Sequence, residues 1–339
     1  VPIHDLGYRA WKGQTTSELL RWWVITQTGL RIAWKNFWLR RLLFVAWLPA
    51  AYVGVGFFIY EHLLTRTSES IAATVETQGA VSEEAREALM SDAVTRAERE
   101  MRNQQIGRIA QSFLPGFPLS PDRHEVWCWL MYAFFRYPQG LIMLLVIGLV
   151  APPLVARDVG SRAFLLYFSR PISRAEYIFG KLAIVWAFVL LITTAPAITL
   201  FLLGVLLSPE LSVLAYTWDL PFRILIASAV LLIPTTTIAL AFSSATTKTW
   251  IAGFAWFAVW IFGFMAYIVL LTTAQHQARP LGEQWVLISL YHTLGKVQAW
   301  VFGVEGTLAS VLPSAGLLAA LTVLSLMVLY RRVSSPMRI

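Results

Sequence analysis

The chain has 339 residues, 57% of them hydrophobic and 14% charged, with a mean hydropathy of +0.62, a balance that excludes an ordinary water-soluble domain and points to an integral membrane protein. Its net charge of +8 would suit nucleic acid, but the basic residues cluster between apolar runs, as membrane orientation requires, so no nucleic-acid partner is expected. A single cysteine, Cys128, excludes an intrachain disulfide and any cysteine-cluster metal site.

Residues 1–41 form a basic N-terminal segment. Within it, residues 17–41 interleave tryptophans with cations, the pattern of an amphipathic helix lying along the cytoplasmic membrane face. Trp22, Trp23, Arg31, Lys35 and Trp38 are its interfacial residues, available to dock a partner. The first span covers residues 42–60. No cleavable leader is expected, because about forty polar and aromatic residues precede that span and no small-residue cleavage site follows it.

Residues 61–133 read as an extracytoplasmic helical insert. Ser82, Glu83 and Glu84 open a charged helix, and Ala85, Leu89, Ala93, Ala97 and Met101 give it a narrow stripe suited to one neighbouring helix, so a small hairpin is expected. Residues 125–135 are aromatic enough to lie in the headgroup region. Residues 134–330 carry five further spans, over 134–156, 182–207, 222–242, 251–271 and 313–330, with an outer interfacial or partly re-entrant segment over 272–312 and a cytoplasmic tail over 331–339.

Six spans place both termini on one side. That side holds 16 Arg and Lys against 4 acidic residues, the other 11 against 15, so cytoplasmic termini are expected. The fold class is thus an all-α integral membrane protein with six transmembrane helices, an N-terminal interfacial helix and a helical external insert.

Between spans two and three lies the most informative stretch, residues 157–181. Five of its residues are Arg or Lys, with only Asp158 and Glu176 acidic. Residues 161–168 read as a short helix with Phe164, Leu165 and Phe168 on one side, too apolar to lie bare in water. Pro171 interrupts it, and Ser173 with Glu176 forms an S-x-x-E capping box that starts the next span. Asp158 and Arg162 stand at i, i+4 spacing, where an ion pair would hold the helix.

The spans themselves offer little chemistry. Arg136 and Arg223 lie near outer ends and read as snorkelling cations. Thr193, Thr194 and Thr235 to Thr237 sit beside Pro196 and Pro234 and read as satisfying the carbonyls that proline frees. Trp256, Phe257, Trp260, Phe262 and Phe264 read as lipid or packing contacts. The five histidines show no paired-ligand spacing, and no G-x-x-x-x-G-K-[ST] loop is present, so no catalytic, cofactor or metal site is expected in this chain.

A helix ending in Arg-Asp, then Gly-Ser, an apolar stretch, Ser-Arg-Pro-Ile-Ser-Arg, an aromatic and Gly-Lys resembles the permease subunit of ABC-2 type transporters at Asp158, Gly160, Ser161, Pro171, Ser173, Arg174, Gly180 and Lys181. The resemblance implies an exporter of the cytoplasmic (inner) membrane whose ATP and Mg are handled by a separate ABC ATPase subunit. That subunit would dock on the 157–181 loop, through Asp158, Gly160, Ser161, Arg162, Phe164, Leu165, Phe168, Pro171, Ser173, Arg174 and Glu176, and on the N-terminal helix. It also implies a second permease subunit, as a homodimer or a pair with a similar partner, set in membrane lipid. The alternative is a subunit that transmits ATPase-driven motion to a periplasmic or envelope protein at residues 61–133 without itself transporting a substrate.

Overall fold

The computed structural model describes residues 20–58, 123–163, 167, 172–208, 213–277 and 282–334. Every regular element among them is helical. Helix α1 is Arg21–Trp34, and α2 starts as Phe37–Val45 and continues so that the apolar run is Phe37–Phe58. Then follow α3 (Arg123–Arg136), α4 (Pro138–Gly160), α5 (Arg174–Ile192), α6 (Thr194–Leu207), the single turn α7 (Val213–Tyr216), α8 (Leu220–Ser244) and α9 (Thr249–His276). A 3-10 turn, Glu283–Ile288, leads into α10 (Leu290–Phe302), and α11 (Leu308–Ser334) closes the chain. Six runs are long and apolar enough to cross a membrane: Phe37–Phe58, Arg123–Gly160, Arg174–Leu207, Leu220–Ser244, Thr249–His276 and Leu308–Ser334.

Two segment boundaries differ from the sequence expectation. The amphipathic stretch drawn through Arg41 is two helices, because Asn36 takes extended backbone and its side chain accepts from the Trp38 amide, capping a new helix at Phe37. Trp38 therefore belongs to the start of the first span. The second is at α3, which runs through Arg136 so that the next helix starts at Pro138 rather than 134, and whose Trp127, Met131, Phe134 and Phe135 are each at most 1% exposed. Trp127 meets Phe57 and Phe201 edge-on, at 5.1 and 6.0 Å, and its indole sits over Gly204, where a Cβ would lie 2.7 Å away. The hairpin expected over residues 82–111 lies outside the described residues.

Prolines inside the spans remove backbone donors, and side-chain hydroxyls meet the carbonyls around them. In α4, Pro152 and Pro153 interrupt the ladder, and Ser243 of α8 joins that turn: its Oγ donates to the Pro152 carbonyl at 2.7 Å and accepts from the Val155 and Ala156 amides. The carbonyl that Pro234 of α8 itself deprives of a donor is that of Val230, whereas Thr235, Thr236 and Thr237 bond back to the Leu231, Leu232 and Ile233 carbonyls. Thr193 does the same to Val189 where α5 gives way to α6.

At one end of the bundle, arginines fasten α10. Arg136 donates to the Tyr291 carbonyl at 2.6 Å and lies flat over the Tyr291 ring at 3.6 Å, while Tyr291 Oη donates back to the Arg136 carbonyl. Arg223 donates to the Val301 carbonyl in the last turn of α10, at 2.9 Å, where a cation also complements the helix dipole. Both side chains face protein carbonyls, which corrects the snorkelling reading. Asp219 holds Arg223 at 2.6 Å and His124 at 3.0 Å. Burial raises the Asp219 carboxyl, but those two partners outweigh it and hold the group below its ordinary range.

At the opposite end α1 crosses α5 with almost no gap. A Cβ on Gly180 would stand 3.0 Å from the Trp22 carbonyl, one on Gly29 would meet the tip of Ile184, and Thr26 Oγ1 donates to the Gly180 carbonyl at 3.2 Å. Small residues let the two backbones meet. Gly180→Leu should therefore cost about 1–3 kcal/mol by overpacking. We expect a lower melting temperature in detergent and faster tryptic cleavage at Arg31, whereas Gly316→Ala, with nothing within 4 Å, should leave both unchanged.

Candidate functional site

The end of the bundle that carries α1 also gathers the start of α5, the end of α4, the turn between α8 and α9, and the end of α11. Helix α4 stops at Gly160 in a Schellman motif: the Arg162 amide donates to Val159, and the Ala163 amide to Asp158. The motif needs a left-handed residue, and here it is Arg162, at φ 54°, the only non-glycine with positive φ among the described residues. Glycine would take that position without the Cβ penalty.

This termination overturns the expected pair between Asp158 and Arg162. Arg162 lies past the helix end, and Asp158 faces α5 instead, where Lys181 Nζ stands 2.8 Å from its Oδ2 and Tyr177 Oη donates to the same oxygen at 2.7 Å. Lys181 is 7% exposed and Tyr177 fully buried. Tyr167 completes the cluster, its ring 5.3 Å from that of Tyr177 and 5.9 Å from the Lys181 ammonium. Burial first, and then the Asp158 carboxylate, push the Tyr167 phenol above its ordinary pKa, so it stays protonated.

The other expected residues fall around this cluster. The Ser173 and Glu176 capping box is formed, the Ser173 amide donating to Glu176 at 2.6 Å and the Glu176 amide to Ser173 Oγ at 3.2 Å. Arg174 reaches the last turn of α11 and donates to Ser334 Oγ at 2.9 Å. Gly160 lies against the turn between α8 and α9, where a Cβ would come 3.3 Å from the Thr247 carbonyl. Ser161 bonds back to the Arg157 carbonyl. Phe164, Leu165, Phe168 and Pro171 lie outside the described residues.

On α1, Trp22 packs edge-on to Phe179 of α5 at 4.8 Å. Trp23 is exposed, as are Arg31 and Lys35, so this helix presents a basic and aromatic face away from the bundle. Trp38 is 68% exposed at the head of α2. Beneath α1, between it, α4 and α5, lies a cavity of about 920 Å³.

Sequence reasoning named Lys181, Arg174 and Gly160 but missed their respective neighbours Tyr177, Ser334 and Thr247. Tyr177 was within reach, since it stands one helical turn before Lys181 and faces the same way. Ser334 and Thr247 are joined to the site only by the fold.

Six helices long and apolar enough to cross a membrane, with a charged cluster joining the second to the third, are the architecture of a multi-pass membrane protein. The sequence model of the family described as ABC-2 family transporter protein matches residues 30–333, and the chain belongs to that family. No curated protein and no solved structure matches it.

Asp158→Asn should leave the Lys181 ammonium buried without a counter-charge, at a cost on the order of 3 kcal/mol. Adding Lys181→Met should recover most of the loss, because the amide still accepts from Tyr177; thermal unfolding of both variants in detergent measures the difference. Arg162→Gly should raise stability by about 1 kcal/mol by removing the left-handed strain, read in the same assay.

Proposed function

We propose that this chain is the membrane half of an exporter, driven by a separate ABC ATPase that docks on the 157–181 segment and on the exposed face of α1. The observation that carries this reading is the convergence of α1, the α4 and α5 ends, the α8–α9 turn and the α11 end on one surface. A push on that surface reaches five spans at once. Asp158, Tyr177 and Lys181 join the ends of α4 and α5, so a movement of the segment between them becomes a movement of two spans rather than the flexing of a loop.

The positive-inside balance supports placing this surface, with both termini, in the cytoplasm, and the membrane is then the inner one. ATP and Mg belong to the partner ATPase. Two copies of this chain, or one with a similar partner, form the route between them. The low burial of two spans supports this: in the most apolar stretch of Thr249–His276 only 11% of residues are buried within the chain, and in that of Leu308–Ser334 only 22%.

The test is purification of the tagged chain in mild detergent with mass spectrometry of what accompanies it. An ATPase subunit in near-equal amount is expected. Phe164→Asp with Phe168→Asp should abolish that association while leaving membrane insertion intact. A complex that still forms and hydrolyses ATP normally would sink the docking assignment.

A further inference from the structure

The cavity beneath α1 has largely apolar walls, with Arg21, Thr28 and Asn36 as the polar residues on the α1 side. Its walls include Ile32 of α1 and Leu149 and Leu154 of α4, and Arg157, Asp158 and Lys181 stand on its rim. From Leu149 to Arg157 the wall of α4 runs about 12 Å along the helix axis, most of one leaflet of a hydrocarbon core about 30 Å thick. The opening is bounded by the segment between spans two and three, so the charged rim sits at headgroup level and the apolar wall descends from it.

The charges on the rim are unequal in what they have left to offer. Asp158 and Lys181 neutralise each other at 2.8 Å. The Arg157 guanidinium is exposed, and among the described residues it makes no hydrogen bond or ion pair. Arg21 also lines the cavity but has an interaction of its own. Among the described residues Arg157 is thus the uncommitted cation over an apolar wall of leaflet depth, which calls for a ligand with one anionic head and a hydrocarbon chain. Basic pockets between transmembrane helices bind acidic lipid headgroups on this principle.

We propose that a resident anionic phospholipid occupies this cavity, its phosphate on Arg157 and an acyl chain along Leu149 and Leu154. Such a lipid wedges between α1 and α4 and fills the space beside the Asp158–Lys181 pair. Its binding does not depend on the ATPase, so it stands or falls separately from the docking assignment.

The experiment is native mass spectrometry of the full chain released from detergent, titrated with dioleoyl-phosphatidylglycerol, dioleoyl-phosphatidylcholine and inorganic phosphate as competitor. One phosphatidylglycerol per chain is expected, bound in preference to phosphatidylcholine. Arg157→Gln should weaken phosphatidylglycerol by about fivefold, the share of one basic residue at an anionic surface, and erase the preference. Arg40→Gln, a cation outside the cavity, should change nothing, and Leu154→Trp should weaken both lipids by filling the slot. Because the Arg157 side chain is exposed and has no partner among the described residues, its replacement does not threaten the fold. Equal binding of the two lipids to the parent chain, a preference that survives Arg157→Gln, an equal loss in Arg40→Gln, or full displacement by inorganic phosphate would each overturn the proposal.

Discussion

Lys181 is an ammonium group at 7% exposure, and taking such a charge from water costs several kcal/mol unless a partner replaces the solvent. Asp158 is that partner, and Tyr177 adds a hydroxyl to the same carboxylate oxygen. The cost makes the arrangement all-or-none: separating the end of α4 from the start of α5 strands two charges at once. The left-handed Arg162, the Ser173 cap and the contact of Arg174 with α11 flank that pair.

The same accounting governs the spans. In hydrocarbon no water satisfies a carbonyl that proline has freed, so each break must be met by protein. Threonines next to Pro234 and Pro196 bond to carbonyls of the preceding turn, and Ser243 enters the Pro152 turn from another helix. The last case ties α8 to α4 close to the end where the Asp158 cluster lies. At the other end Arg136 and Arg223 perform the matching task for α10, turning what would be a loose interfacial helix into part of the bundle. The molecule is thus pinned at both ends by cations that face inward, while its exposed aromatic and aliphatic surface is left to lipid and to a second subunit.

For the membrane subunit of an ABC transporter, this division has a functional sense. Stiff ends transmit displacement, and unpartnered spans leave a surface along which two subunits can move. The strained Arg162 stands where glycine would be cheaper, beside Asp158 and at the head of the segment assigned to the ATPase, so the backbone penalty falls at the place where a guanidinium is worth keeping.

How much of this was legible beforehand follows from range. The six spans, the Ser173–Glu176 cap and the threonine back-bonds depend on residues within four positions of one another, and apolar runs, S-x-x-E and threonine beside proline display them directly. The family resemblance rested on a contiguous motif and was likewise visible. The Asp158 partner was misassigned because i, i+4 spacing assumes a continuing helix, and a Schellman turn at Arg162 breaks it without a glycine to announce the stop. Arg136 and Arg223 were misjudged for a different reason: their acceptors lie 155 and 78 positions away. The sequence by itself determined where the chain crosses the membrane and where its helices start, because length, hydropathy and capping are local. Only the tertiary structure decided which charge meets which, because in a bilayer a buried cation is neutralised by whichever carboxylate or carbonyl the packing brings within 3 Å, whatever its distance along the chain.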